Sequence, residues 1–228
     1  MLELKNIQGG YIKGNNILKG VDLSLSQGEV LAILGQNGSG KTTLAKAILN
    51  VLPLRGGSIS LNNKDISSYT TAQLLQEGIA YFLQGGRIFP SLTVEENITF
   101  ALQGKTLVEE TLEKFPVLQK YWRRRATVLS GGERNQLALA MVVVKMPKWL
   151  ILDEPTAGLS PKATLEIYRL LNNLDKNNIG IILIEQNIHK AIEFANKVII
   201  LKNGVVYEQL QNSNITETQN RIEQVFFN

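Results

Sequence analysis

From Val30 to Leu34 the chain reads V-L-A-I-L, an unbroken apolar run that predicts a strand buried on both faces. Upstream the pattern differs: Leu2 and Leu4, then Val21, Leu23 and Leu25, alternate with polar residues as half-buried strands do. The hairpin chemistry of K-G-N-N between them suggests an antiparallel start. Past Leu34 a glycine-rich loop leads into K-T-T-L-A-K-A-I-L-N-V-L, a helical pattern that Pro53 is expected to stop. Further short apolar strands are predicted at 79–82, 150–152, 179–184 and 198–201, the last three alternating with helical patterns. The clearest of these helices is 161–174, where Ser160 can cap and Pro161 suits the first helical position. Such alternation argues for a mostly parallel sheet with helices packed on it.

Between Gln84 and Pro147 the strand signal disappears. Residues 107–118 and 133–146 read as helices, the second despite the valines of M-V-V-V, whose propensity alone would allow a strand. The expected architecture is α/β: one domain over 1–228, with a core from about 1–84 and 148–228 and a helical subdomain inserted at about 85–147.

Composition narrows the function classes. Hydrophobic residues at 44% and charged residues at 19% of 228 suit an ordinary globular protein. The longest apolar stretch, from Leu137 to Val144, falls far short of the roughly 18–20 residues that span a bilayer. The N-terminal M-L-E-L-K-N-I-Q-G-G lacks signal-peptide character, so a cytoplasmic chain is expected. With no cysteine and one histidine, disulfides, thiol catalysis and transition-metal sites are improbable. The net charge of +4 is mild; its densest run, Arg123, Arg124 and Arg125 beside Trp122, reads as a solvated face rather than a nucleic-acid contact. The C-terminal T-E-T-Q-N-R-I-E-Q-V-F-F-N reads as a short amphipathic helix packed on the domain.

Three motifs carry chemistry. G-Q-N-G-S-G-K-T at 35–42 matches the phosphate-binding loop G-x-x-x-x-G-K-[ST], placed as its mechanism requires between a strand and a helix. Glycines let main-chain N–H groups turn inward around phosphates, and the helix N-terminus adds a dipole favourable to an anion. Lys41 can reach the β- and γ-phosphates and Thr42 can hold Mg²⁺. In W-L-I-L-D-E-P a buried strand delivers Asp153, which can hold Mg²⁺ through water, and Glu154, which can accept a proton from the attacking water. In L-S-G-G-E, Ser130, Gly131 and Gly132 precede a helix and make a second anion-binding N-terminus. Such an end, separate from the first loop, makes sense if it completes a neighbour's site.

The phosphate loop, L-S-G-G-E and L-I-L-D-E-P, in that order along the chain and with a helical segment between the first and second, resemble the ATP-binding subunits of ABC transporters over essentially the whole chain. The resemblance implies a P-loop NTPase core of ABC ATPase type, with an antiparallel β subdomain beside the mostly parallel sheet. It implies ATP and Mg²⁺ as cofactors, held by Gly35, Gln36, Asn37, Gly38, Ser39, Gly40, Lys41, Thr42 and Thr43, with Thr42, Gln84 and Asp153 at the metal. Tyr11 would stack on adenine, and Ser130, Gly131 and Gly132 would close on ATP held by a partner subunit. Residues 157–161 (A-G-L-S-P) would cross the dimer interface. Glu154, Lys41, Gln84 and Gln186 would be the catalytic set.

G-G-R-I-F-P-S-L-T-V-E-E-N-I, the basic run before L-S-G-G-E, D-E-P-T-A-G-L-S-P and I-E-Q-N look like the narrower branch serving branched-chain amino acid and related amide or urea uptake. Most of the family places a histidine at the end of the 179–184 strand; this branch often reads Glu-Gln-Asn, so Gln186 looks like the residue that donates to the γ-phosphate. His189 would be a surface residue one turn into the next helix. Two departures stand out: Met141 and Val142 where many relatives carry Arg-Ala, and Leu83 where the branch commonly has proline.

The implied partners are a second ABC ATPase subunit, sister chain or itself, membrane-spanning permease subunits and a solute-binding protein, with no nucleic acid. The implied location is peripheral, on the cytoplasmic face of the cell membrane. The competing readings are a soluble ABC ATPase acting on nucleic acid or ribosomes, and a nucleotide-binding regulatory subunit with little turnover.

Overall fold

The computed structural model describes residues 1–102, 108–174 and 178–227. Two sheets share the chain. Strands β1 (Leu2–Gly9), β2 (Leu18–Leu25), β3 (Val30–Leu34), β4 (Leu54–Leu61), β5 (Lys64–Asp65), β6 (Ile79–Phe82), β7 (Trp149–Asp153), β8 (Gly180–Ile184), β9 (Lys197–Lys202) and β10 (Val205–Gln211) arrange as β2-β1-β4-β5 and β10-β9-β3-β8-β7-β6. The first sheet is antiparallel. In the second, β9, β3, β8, β7 and β6 run parallel, with β10 antiparallel at the edge. The hairpin expected around K-G-N-N forms on Gly14 (φ 87°), with Asn15 N–H donating to Ile12 O at 3.0 Å.

The unbroken apolar run of β3 has a geometric cause. Successive strand side chains point to opposite faces, so Val30, Ala32 and Leu34 enter one core while Leu31 and Ile33 enter another. The same split occurs in β8, Ile181 and Leu183 against Ile182 and Ile184. The second core also holds the antiparallel sheet's Leu2, Leu4 and Ile59 together with Leu44 and Ile48 of helix α1 (Lys41–Ile48). The strands β4, β5 and β10 escaped the sequence reading, although S-I-S-L in β4 does alternate.

Helix α2 (Thr71–Gln76) precedes β6, and between β6 and β7 the described chain is helical: α3 (Val94–Leu102), α4 (Val108–Lys114), α5 (Pro116–Gln119), a 3-10 turn at Ala126–Val128 and α6 (Gly131–Val143). The single helix expected over 107–118 is two. Pro116 disfavours a helical residue before it and starts α5 instead, and Leu107 lies outside the described residues. Met141, Val142 and Val143 do continue α6, which ends at Val143 rather than at the expected 146, because Leu137, Ala138, Leu139 and Ala140 are buried along the helix and tertiary packing outweighs β-branched propensity. Helix α1 stops well before Pro53: Asn50 adopts the left-handed conformation (φ 52°), and Val51 N–H closes the end on Lys46 O.

Helices α7 (Pro161–Asn172), α8 (Ile188–Phe194) and α9 (Ile215–Phe227) complete the chain. Ser160 Oγ caps α7 through Ala163 N–H, as expected. The C-terminal amphipathic stretch packs on the domain as α9, burying Ile222 and Thr218 and pairing Arg221 with Glu208 at 2.7 Å. Among the described residues no helix is long and apolar enough to cross a membrane.

Candidate functional site

The parallel strands deliver their C-terminal ends to one rim, where α/β proteins place ligands. The loop between β3 and α1 rises there on Gly38 (φ 79°) and Gly40 (φ 107°), values only glycine takes cheaply. Gly40 is the N-cap of α1 and no side chain caps that end, the kind of helix N-terminus that suits an anion. Lys41 lies across the loop, donating to Gly35 O at 2.7 Å and Gln36 O at 3.1 Å. Burial holds its ammonium below the ordinary lysine range, while Glu154 and Asp153 pull it back up.

At the mouth of β7 the two carboxylates divide. Asp153 is held by Tyr81 Oη–H (2.8 Å) and Thr42 Oγ1–H (3.2 Å), one donor on each oxygen. Burial pushes its carboxyl up, against the opposing pull of the Tyr81 and Thr42 bonds and Lys41. Tyr81 is pushed up too, by burial first and then by Asp153, so it stays a donor. Sequence reasoning missed Tyr81: nothing in the periodicity of a four-residue strand says that its register sets it beside Asp153.

Glu154 turns the chain out of β7 with φ 47°, a conformation that costs a residue with a Cβ on the order of 1 kcal/mol. Its N–H bonds Ile184 O at 2.9 Å, which ties the turn to β8. Both carboxylate oxygens accept amides: Gln84 Nε2 on Oε2 at 2.7 Å and Gln186 Nε2 on Oε1 at 2.6 Å. The expected catalytic residues Glu154, Gln84 and Gln186 are therefore in direct contact. Gln84 is turned to Glu154 rather than to the Thr42–Asp153 pair. His189 is exposed on α8, as expected.

Tyr11 is 55% exposed and lies beside α1, accepting from Lys46 Nζ at 3.3 Å with the same amine 5.1 Å from its ring centroid. Ser130, Gly131 and Gly132 are not brought to the phosphate loop. Ser130 and Glu133 form a reciprocal cap on α6, and the three residues line a separate groove of about 550 Å³ with Gly158, Leu159 and Ser160. Asn135, one turn into α6, donates to Pro155 O at 2.7 Å and so fastens α6 to the segment after Glu154. This link too was invisible in the sequence.

A P-loop core with an inserted run of helices and a second, antiparallel sheet defines the ATP-binding cassette class. Residues 18–157 match the ABC transporter family model, and the chain belongs to that family as an ATP-binding subunit. A probable branched-chain amino acid transport ATP-binding protein, LivF, of Archaeoglobus fulgidus is 38% identical over 213 residues, covering 90% of each chain. LptB, the ATP-binding protein of a lipopolysaccharide export system in Escherichia coli, is 29% identical over 212 residues, 89% of this chain and 87% of that one. A solved dimeric cassette in a post-hydrolysis state with ADP and Pi superposes with a TM-score of 0.82 at 25% identity, over 94% of this chain and 100% of that one.

Proposed function

We propose that this chain binds Mg-ATP and hydrolyses it to drive a membrane transporter importing an amino acid-like solute. The observation that carries the reading is Glu154, set beside the phosphate loop with both oxygens held by glutamine amides. The residues suit the nucleotide and its cation. The uncapped N-terminus of α1 and the buried Lys41 amine, bonded to carbonyls alone, are built for an anion. Thr42 and Asp153, with the carbonyl oxygen of Gln84, are oxygen donors of the kind a hard divalent cation takes. Bound there, Mg²⁺ would neutralise charge on the phosphate oxygens.

In this reading Lys41 exchanges the Gly35 and Gln36 carbonyls for phosphate oxygens, and Tyr11 stacks on adenine. Gln186 Nε2 leaves Glu154 Oε1 for a γ-phosphate oxygen. The freed carboxylate oxygen then takes a proton from the water that attacks phosphorus as ADP leaves. The γ-phosphate thus exposes the base that acts on it. Ser130, Gly131 and Gly132 line a different groove from the phosphate loop, which supports a composite site closed by a partner subunit, sister chain or second copy.

Residues 85–147 form a subdomain against the 1–84 and 148–228 core, and pass closure to permease subunits on the cytoplasmic face of the membrane. A solute-binding protein completes the system, and nucleic acid has no part in it. Import follows the branched-chain amino acid relative; the similarity to LptB favours export as the second reading.

The test is mass by light scattering with Mg-ATP on Glu154→Gln, beside ATPase assays of wild type. Doubling of mass and a turnover loss of about 10²-fold or more is the expected result. A Glu154→Gln protein that turns over like wild type would overturn the assignment.

A further inference from the structure

Glu185 is a carboxylate that the mechanism above does not use, yet it is only 3% exposed and stands between the two loops that do the chemistry. Its Oε1 accepts Thr156 Oγ1–H at 2.6 Å. Its Oε2 accepts the main-chain N–H of Gln186 at 3.0 Å and of Asn187 at 3.4 Å. Asn187 in turn caps α8 through Lys190 N–H at 3.1 Å. Among the described residues Glu185 forms no ion pair, so its charge is met by these donors.

The bonds close a ring. Thr156 follows Glu154 by two residues in a turn fastened by Ala157 N–H to Glu154 O at 3.2 Å. Glu154 accepts Gln186 Nε2, Gln186 N–H bonds Glu185, and Glu185 returns to Thr156. A carboxylate suits the centre because it offers only acceptors, and charge-assisted bonds hold their geometry better than neutral ones. The wall behind it is Tyr168, whose ring meets Phe194 edge-on at 5.8 Å. Burial, then the Glu185 and Glu193 charges, push the Tyr168 hydroxyl up, so it stays protonated.

We propose that Glu185 is a positioning residue, which sets the Gln186 amide against Glu154 by tying the 154–160 loop to the 185–187 loop through Thr156. The proposal rests on the Glu154 and Gln186 roles given above, and its test separates the two.

The test compares Glu185→Ala, Glu185→Gln, Thr156→Val and the Ala/Val double variant with wild type and Glu154→Gln, by steady-state ATPase and by hydrogen exchange of the 186 and 187 amides. Glu185→Ala is expected to lower kcat by about 10-fold while the KM for ATP stays within about 2-fold, the signature of a loss felt at the chemical step. Glu185→Gln should restore kcat to within about 3-fold of wild type, since its carbonyl can accept the main-chain N–H groups and its NH₂ can donate to Thr156 Oγ1. Thr156→Val should lower kcat by severalfold, and the double variant should be no worse than Glu185→Ala, because linked residues are not additive. The 186 and 187 amides should exchange faster in Glu185→Ala and in Thr156→Val, and near the wild-type rate in Glu185→Gln; this readout decides without turnover.

Wild-type exchange and kcat in Glu185→Ala would overturn the proposal, as would strictly additive effects in the double variant. If Glu185→Ala fails to fold, wild-type behaviour of Thr156→Val overturns it. A Glu154→Gln variant with wild-type turnover sinks the catalytic reading itself, whatever Glu185 does.

Discussion

Asp153 and Glu154 are neighbours in sequence with opposite fates. Asp153 closes β7 as its last residue, 1% exposed, while Glu154 takes a positive φ that turns it from the sheet and into reach of two amides. Burial raises the Asp153 pKa above its unfolded value. Between those two values the native state holds more protons than the unfolded one, so Asp153's contribution to stability is lost as pH rises through the native value. Above the native value the buried charge therefore weakens the nucleotide-free fold. Asp153→Asn removes the charge, keeps the Tyr81 hydroxyl as donor to its carbonyl and turns its NH₂ on Thr42 Oγ1, which then accepts. It should raise Tm at pH 7, by about 2–4 °C for each kcal/mol of charge burial relieved, while abolishing Mg-dependent turnover. Calorimetry beside an ATPase assay checks both signs; a lower Tm would mean that Lys41 outweighs burial. Gln186 is neutral at every pH, and an imidazole in its place is not. Gln186→His should make turnover fall as pH rises through the imidazole pKa, about 6.5 when unperturbed and higher beside Glu154, over a range where wild type is flat.

Helix α6 shows how an element carries two demands at its first turn. The Ser130–Glu133 cap satisfies the main chain locally, while Gly131 and Gly132 keep the surface low. Their surroundings differ. A Cβ on Gly132 would meet Ala163 Cβ of α7 at 2.8 Å, whereas one on Gly131 meets nothing within 4 Å. Gly132→Ala should thus destabilise the fold by about 1–3 kcal/mol through overpacking of α6 on α7. Gly131→Ala should melt like wild type yet weaken Mg-ATP-driven pairing, if this face receives a partner's nucleotide. Thermal melts and light scattering on the two variants separate packing from pairing. At this scale the sequence reading did well where periodicity was strong, as in β3, β7, β8 and α7. It erred where local chemistry ended an element, as with Asn50 for α1 and Pro116 between α4 and α5.

In the whole molecule the phosphate loop and the L-S-G-G-E segment open on different grooves, the arrangement from which the proposed composite site is argued. On the helical part, Phe100 is 63% exposed and stacks edge-on with Phe89 at 4.9 Å. This exposed pair lies on the helical part that the proposed function turns toward the permease. Phe100→Ser should cost about 0.5–1.5 kcal/mol of stability through the lost ring pair, leave basal ATPase unchanged and lose the permease on co-purification; retained complex would remove this face from the interface. The phosphate loop, the carboxylate pair and the parallel core were legible in the sequence because each is local: glycine spacing, strand-end position and apolar runs are written within about ten residues. The edge strands β5 and β10 were not, because an edge strand is defined by its neighbour more than by its own pattern, and the inner strand β4 was not because Arg55, Gly56 and Gly57 interrupt its alternation. The tertiary structure alone brought Tyr81 to Asp153, Asn135 to Pro155, Glu185 to Thr156 and Gln186 to Glu154. These contacts join residues distant in the chain, or loops whose ends meet only after β6, β7 and β8 have paired in register. The sequence by itself determined which groups can do phosphate chemistry. Strand register and the turn at Glu154 decided which of them touch, since a side chain's reach is a few ångströms and only packing sets distances on that scale.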